Sequence, residues 1–131
     1  MLAQSPSGAS YPYYYKGGYL KGMHYGGYFD DMDSLRDMMA REEAFMMRSP
    51  QKERVLIDLY ETRLTEPMLA EFARHIGRLS SRIAKLSIAA DWRCRRAVKK
   101  ALLKRNAIRA QQLHLCADME EGKAWLVGDG F

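Results

Sequence analysis

The chain has no apolar run long enough for a membrane helix, and its 131 residues include only two cysteines and three histidines. A bilayer span needs about 20 continuous apolar residues, and no stretch approaches that length. The first ten residues have neither a basic start nor an apolar run, so we expect no signal peptide. Cys94 and Cys116 belong to no paired motif, and we expect both to be reduced thiols of a cytoplasmic protein.

The common motifs of catalytic and metal sites are also missing. No glycine-rich phosphate loop, nucleophile elbow or metal-ligand spacing follows the apolar strands that the sequence predicts. Asp58 is the one acid inside an apolar strand, and His75, beside Ile76 on a predicted helix, is expected to face solvent. Cys94 is either a packing residue, which we favour, or a thiol whose pKa nearby arginines lower. We therefore predict no catalytic residue, no metal ligand, no cofactor and no enzymatic activity.

Residues 54–90 contain the clearest structural pattern. Two short apolar runs, 55–60 and 83–90, are typical of buried strands. The segment between them has apolar residues at helical spacing, and Thr65 followed by Pro67 marks its start. A strand, a crossover helix and a second strand form a βαβ unit, which indicates a parallel sheet with covered faces.

The N-terminal part is rich first in tyrosine and then in methionine. Seven of the eight tyrosines lie between residues 11 and 28 among glycines, which predicts a β-hairpin. A helix predicted over 32–47 carries a wide methionine face. These segments together expose more apolar surface than a small sheet covers, so we predict a homodimer through one of them. The candidate interface residues are Tyr19, Tyr25, Met38 and Met46; core packing of the methionines is the alternative.

The remaining patterns complete an α/β fold. A basic helix capped by Asp91, a strand over 111–116 and a helix capped by Asp118 follow the βαβ unit. The predicted order is β-hairpin, α, β, α, β, α, β, α: a single mixed β-sheet with an N-terminal hairpin, mostly parallel strands and covering helices. We expect residues 1–10 to be a disordered tail and residues 11–131 to be a single domain.

Basic residues concentrate in one segment, 91–109. It has eight basic residues and one acid, a net charge of +7, whereas the remaining 13 basic and 15 acidic residues give −2. A nucleic acid or another anionic ligand could bind such a stripe. The alternative, which we favour, is the solvated face of a helix whose buried face contains Cys94, Val98, Ala101 and Leu102. The candidate anion-binding residues of this basic helix, 92–109, are Arg93, Arg96, Lys99, Lys100 and Lys104.

Several segments together resemble the STAS superfamily, the fold of anti-sigma-factor antagonists, and specifically its SpoIIAA-like branch. The similar pieces are Gly27 with the acidic start of the methionine-rich helix, the strand Arg-Val-Leu-Ile-Asp-Leu at 54–59, the strand Lys-Leu-Ser-Ile-Ala at 85–89, and the ending Glu-Gly-Lys-Ala-Trp-Leu at 121–126. The resemblance covers residues 18 to 128, and its motifs are mainly hydrophobic.

The resemblance implies a regulatory module without enzymatic activity that acts through protein–protein interaction. In classical members, phosphorylation of a Ser or Thr where a strand passes into a helix controls partner binding, and Thr65 occupies that place here. Glu66 follows Thr65 and would repel a phosphate, so we favour a capping role for Thr65 over phosphorylation. The related shape of CRAL-TRIO lipid-transfer domains implies a further alternative, a small apolar ligand or lipid beneath the methionine-rich helix.

Overall fold

A computed structural model describes residues 3–4, 6, 10–11, 13–25 and 31–128. Two short 3-10 turns each lead into a strand: Ser80–Arg82 precedes the strand that begins at Ile83, and Ala110–Gln112 precedes the strand that begins at Leu113. The elements, in chain order, are strands β1 (Ala3–Gln4), β2 (Ser10–Tyr11), β3 (Tyr13–Tyr15) and β4 (Gly18–His24), helix α1 (Met32–Met47), strand β5 (Glu53–Asp58), helix α2 (Glu66–Leu79), strand β6 (Ile83–Ala89), helix α3 (Trp92–Lys104), strand β7 (Leu113–Cys116) and helix α4 (Met119–Val127).

Strands β3 to β7 form one sheet in chain order. β3 is antiparallel to β4, and the other three pairings are parallel. This confirms the predicted α/β class with a mixed sheet that begins with a hairpin. β1 and β2 form a separate two-stranded ladder; most of the tail predicted to be disordered, and Gly27 of the resemblance, lie outside the described residues. None of the described helices is both long and apolar enough to cross a bilayer.

The two faces of the sheet are covered by different helices. Each of the three parallel connections moves one strand further along the sheet in the same direction. Because such crossovers are right-handed, their helices α1, α2 and α3 lie together on one face of the sheet. Successive strand residues point to opposite faces. Val55 and Ile57 of β5 therefore pack in the large core beneath these three helices, while Leu56 packs against Leu126 of α4 on the other face.

Glycine is required at two positions in this arrangement. Lys16 and Gly17 form the two-residue hairpin turn with φ angles of +43° and +87°, the left-handed pair that a type I′ turn needs. Gly122 lets α4 approach the sheet closely, because a Cβ atom there would lie 2.7 Å from Ser87 Oγ and 2.9 Å from Cys116 Sγ. The close contact holds α4 across the face that the other helices leave open.

Helix ends agree with the sequence except at two places. Asp91 and Asp118 accept backbone N–H groups as predicted caps, whereas Thr65 sits at the cap position of α2 without a side-chain cap bond. The basic helix was predicted to reach residue 109 but ends at Lys104, so that prediction is wrong. The physical reason is Asn106, whose φ of +52° turns the chain so that the next two residues return to the core.

Candidate functional site on helix α3

Helix α3 has one face in the core and one in solvent. Asp91 accepts the backbone N–H of Cys94 at 2.9 Å and fixes the start of the helix. Val98 and Leu102, one turn apart, are fully buried beneath it. Ala101 and Cys94 pack at the edge of the same core, as the sequence predicted. The apolar contacts of these residues determine which side chains of α3 point outward.

The outward side of α3 forms a shallow basic groove of about 700 Å³. Its indole side chain, Trp92, is 54 % exposed, and the guanidinium carbon of Arg96 lies 5.4 Å from the ring centroid. Arginine over an indole is a cation–π contact, which here leaves most of the ring accessible. We call this surface the basic face and define it by Trp92, Arg93, Arg96, Ala97, Lys99, Lys100 and Leu103.

The cations of α3 have no acidic partners within the described residues. Arg95 donates to the carbonyl oxygen of Ala90 at 2.7 Å, and no carboxylate pairs with any of the six basic side chains of the helix. In α1 and α2, by contrast, all four arginines form ion pairs. Those pairs are Arg36 with Glu71 at 3.5 Å, Arg41 with Asp37 at 2.7 Å, Arg74 with Glu71 at 2.8 Å and Arg78 with Glu43 at 2.8 Å.

A second concave region adjoins the basic face. It lies between the loop after β5, helix α2 and the first turns of α3, with a volume of about 460 Å³, and we call it the α2–α3 pocket. Arg93 and Ala97 line both the pocket and the basic face. The other lining residues are Glu61, Thr62, Arg63, Leu64, Leu69, Asp91 and Cys94. The two surfaces therefore form one continuous region around the N-terminal half of α3.

Cys94 and Thr65 lie in or beside this region. Burial, together with the nearby Asp91 carboxylate, raises the pKa of the Cys94 thiol to about 11. The structure thus contradicts a thiol with a lowered pKa and supports packing. Thr65 is exposed at the start of α2, next to the pocket residue Leu64, and its hydroxyl is not used in a cap bond.

Three of the four residues predicted for a dimer interface lie in the core. Tyr25, Met38 and Met46 are 0 %, 5 % and 1 % exposed because the sheet and α2 cover them. The structure corrects this part of the prediction: the methionine face of α1 packs inside the chain. Tyr19 is partly exposed, and the edge strand β3 presents Tyr14, which is 71 % exposed.

Sequence reasoning missed a buried polar chain. The prediction that His75 faces solvent is wrong: its Nε2 lies 2.7 Å from the Tyr25 hydroxyl, and its Nδ1 lies 2.7 Å from Glu43. Burial lowers the pKa of His75, so the neutral ring donates from Nδ1 to Glu43 and accepts from Tyr25 at Nε2. The signal was available in α2, because His75 falls on the stripe formed by Phe72, Ile76 and Leu79.

Sequence reasoning also missed a buried ion pair, in which a charged residue again falls on the apolar stripe of a helix. Glu42 occupies the apolar stripe of α1 between Met38 and Met46, and it pairs with Lys21 Nζ at 2.7 Å. Both side chains are essentially inaccessible to solvent. Burial lowers the pKa of Lys21, while the Glu42 carboxylate opposes that shift. The pair joins β4 to α1 inside the fold, and Lys21 also lines a cavity of about 350 Å³ together with Phe45 and Glu53.

Asp58 is the last residue of β5, which ends two residues earlier than the predicted run 55–60. One of its oxygens accepts the backbone N–H of Tyr60 and orders the following loop, and the other lies 2.9 Å from His24 Nδ1. Within the described ranges, no three His, Cys, Asp or Glu side chains are placed to bind a metal ion. Searches of family models, curated proteins and solved structures found no match to this chain.

Proposed function

We propose that this chain is a STAS-like, SpoIIAA-like binding module with a regulatory role, which engages an acidic protein partner through the basic face of α3. The proposal differs from the interpretation that the sequence alone favours, in which the basic stripe is merely solvated. The single observation that carries it is that, among the described residues, none of the six cations of α3 has a carboxylate partner, whereas α1 and α2 pair all their arginines.

The physical argument is electrostatic. Like charges on one surface repel each other, and their summed positive potential attracts an anionic partner from solution. Arg93, Arg96 and the adjacent lysines line one open groove, so a single acidic segment can contact them together. Trp92 and Leu103 lie eleven residues apart on this groove, or about 16 Å along the helix, and offer apolar contacts at its two ends.

A nucleic acid is the second candidate partner. The exposed ring of Trp92 could stack on a base, while the neighbouring basic side chains neutralise phosphates. Such binding would weaken with salt as strongly as binding to an acidic peptide. A test of the partner's identity therefore compares the binding of an acidic peptide with the binding of an oligonucleotide.

The regulatory part of the proposal rests on Thr65. Its hydroxyl is exposed and makes no cap bond, and a phosphate at this position would face the positive end of the α2 dipole. The added negative charge beside the α2–α3 pocket would oppose an acidic partner. Thr65→Asp should therefore weaken binding of a Glu-rich peptide two- to fivefold at low salt, while Thr65→Ser leaves it unchanged. Equal binding by all three proteins would contradict a regulatory role for this residue.

The binding surface can be located by a nuclear magnetic resonance titration. A 15-residue peptide of alternating Glu and Ser is added to isotope-labelled protein, with the Gln-for-Glu peptide as its uncharged control. We expect the acidic peptide to shift backbone amides mainly in residues 92–104, because that is where the unpaired cations lie. Shifts that spread evenly over all helices, or that the uncharged peptide reproduces, would contradict the proposal.

Self-association remains a separate proposal, now through β3. This strand is at the edge of the sheet, where unpaired backbone groups can join a second chain, and Tyr14 adds an exposed ring beside them. Light scattering should give about twice the chain mass, and Tyr14→Asp should reduce it. A wild-type protein that stays at the mass of one chain at high micromolar concentration would remove this proposal.

A further inference from the structure

The α2–α3 pocket has an apolar floor. Leu64, Leu69 and Ala97 are only partly covered by the rest of the chain, and Cys94 completes the floor between them. Its thiol stays protonated near neutral pH because burial raises its pKa, so it behaves as a small apolar group. A volume of about 460 Å³ is large enough for one leucine or phenylalanine side chain.

The rim of the pocket is charged, but its charges balance. Glu61 and Asp91 contribute carboxylates, while Arg63 and Arg93 contribute guanidinium groups. A phosphate backbone would meet both signs at this rim and gain little there, in contrast to the uniformly positive groove next to it. The pocket is therefore better suited to an uncharged side chain than to a second anionic group.

The pocket and the basic face form one path around α3. Because Arg93 and Ala97 line both, a segment that lies along the basic face passes the mouth of the pocket. Interfaces commonly obtain most of their affinity from one bulky side chain in a pocket, surrounded by polar contacts. The arrangement here matches that pattern, with the cations of α3 as the polar surroundings.

We propose that the partner segment is acidic and carries one bulky apolar side chain, which enters the α2–α3 pocket while neighbouring carboxylates pair with Arg93, Arg96, Lys99 and Lys100. This inference rests on the proposed function and adds the feature that selects among acidic partners. Electrostatic attraction alone would accept any anionic chain, whereas the pocket requires a particular side chain beside the charges.

The experiment uses two labelled peptides and one oligonucleotide as probes. One peptide alternates Glu and Ser with a single central Phe, the second has Ala in place of Phe, and the oligonucleotide is a 15-residue thymidine strand. The repetitive peptide can slide until its Phe meets the pocket. Burial of a Phe side chain should make the first peptide bind roughly ten- to a hundredfold more tightly than the second by fluorescence anisotropy.

A pair of protein variants tests whether the pocket causes this difference. Ala97→Met fills the pocket with a helix-compatible side chain, and Ala40→Met places the same change on an exposed position of α1. The Phe peptide should lose its advantage on Ala97→Met and keep it on Ala40→Met. The comparison of the two peptides on wild-type protein needs no variant, so it tests the inference even if Ala97→Met folds poorly.

Each outcome decides between the two proposals. Equal, salt-dependent binding of both peptides to the wild-type protein would overturn the inference and leave the proposed function standing. Tighter binding of the oligonucleotide than of the Phe peptide would also overturn the inference, in favour of a nucleic-acid partner. No salt-dependent binding of either peptide would contradict the proposed function itself.

Discussion

Helices α1 and α2 carry four arginines and no lysine, and helix α3 carries three arginines and three lysines, yet the two regions differ in how those charges are satisfied. Each arginine within α1 and α2 has a carboxylate partner, and in the described structure no basic side chain of α3 has one. Exposed ion pairs add little to stability, so the difference matters mainly for the electric field outside the molecule. Paired charges cancel at short range, whereas the charges of α3 remain available to a partner.

The buried ion pair between Lys21 and Glu42 should show the largest effect of losing a carboxylate partner. Glu42→Ala would leave the Lys21 ammonium inside the fold without its closest carboxylate, so we expect a loss of about 3–5 kcal/mol in the free energy of unfolding. Urea unfolding measures this loss. The double variant Lys21→Met with Glu42→Leu removes both charges and should recover most of the stability. A loss below about 1 kcal/mol for Glu42→Ala would show that the pair matters little to the fold.

The partly buried Glu43 should give a smaller, pH-dependent effect. His75 and Arg78 hold its pKa at about 2 despite the burial that opposes them, below the 4.5 expected in the unfolded chain. Because the folded value is lower, this carboxylate stabilises the fold fully above pH 4.5 and progressively less as the pH falls towards 2. Glu43→Gln should therefore cost about 2 kcal/mol at pH 7, and its difference from wild type should shrink as the pH falls.

Urea unfolding at several pH values measures this difference. The lowered pKa of His75 acts in the same direction, because protonation of the unfolded chain below pH 6.5 also favours unfolding. Glu43 itself raises the pKa of His75, so Glu43→Gln lowers that pKa further, and the contribution of the carboxylate is read from the change in the difference below pH 4.5. A difference between the two proteins that stays constant from pH 7 to pH 3 would be inconsistent with the assigned ion pairs.

Removal of exposed charge should have the smallest effect on stability. Arg93→Gln with Arg96→Gln breaks no ion pair among the described residues and loses only the exposed cation–π contact of Arg96 with Trp92, so we expect the free energy of unfolding to change by less than about 0.5 kcal/mol. Arg36→Gln with Arg74→Gln breaks two pairs with Glu71 and should cost up to about 1 kcal/mol. If the α3 variant were the less stable of the two, its cations would have a structural role that the contacts do not show.

The fold could be predicted from the sequence because local signals determine most of it. Apolar runs placed β5 and β6 to within two residues, and Asp91 and Asp118 marked helix starts through hydrogen bonds to nearby backbone. The end of α3 was missed because Asn106 adopts a left-handed conformation that its residue type permits but does not require.

The candidate site could be predicted only in part. The basic residues of α3 are visible in the sequence, but their lack of partners depends on which carboxylates other elements bring near them. The same limit applies to Glu42 and His75, whose partners lie 21 and 50 residues away in the chain. The apolar pocket arises from a loop and two helices, and no single segment indicates it.

The central claim is that location and pairing, rather than total charge, create the binding surface. The most direct measurement compares two double variants, each of which loses two positive charges from helix surfaces. One combines Arg93→Gln and Arg96→Gln in α3, and the other combines Arg36→Gln in α1 and Arg74→Gln in α2. Affinity for the Glu–Ser peptide is measured by anisotropy from 50 to 300 mM salt. We predict at least a tenfold loss and a weaker salt dependence for the α3 variant, with less than a twofold change for the other; equal losses in both variants would contradict the account.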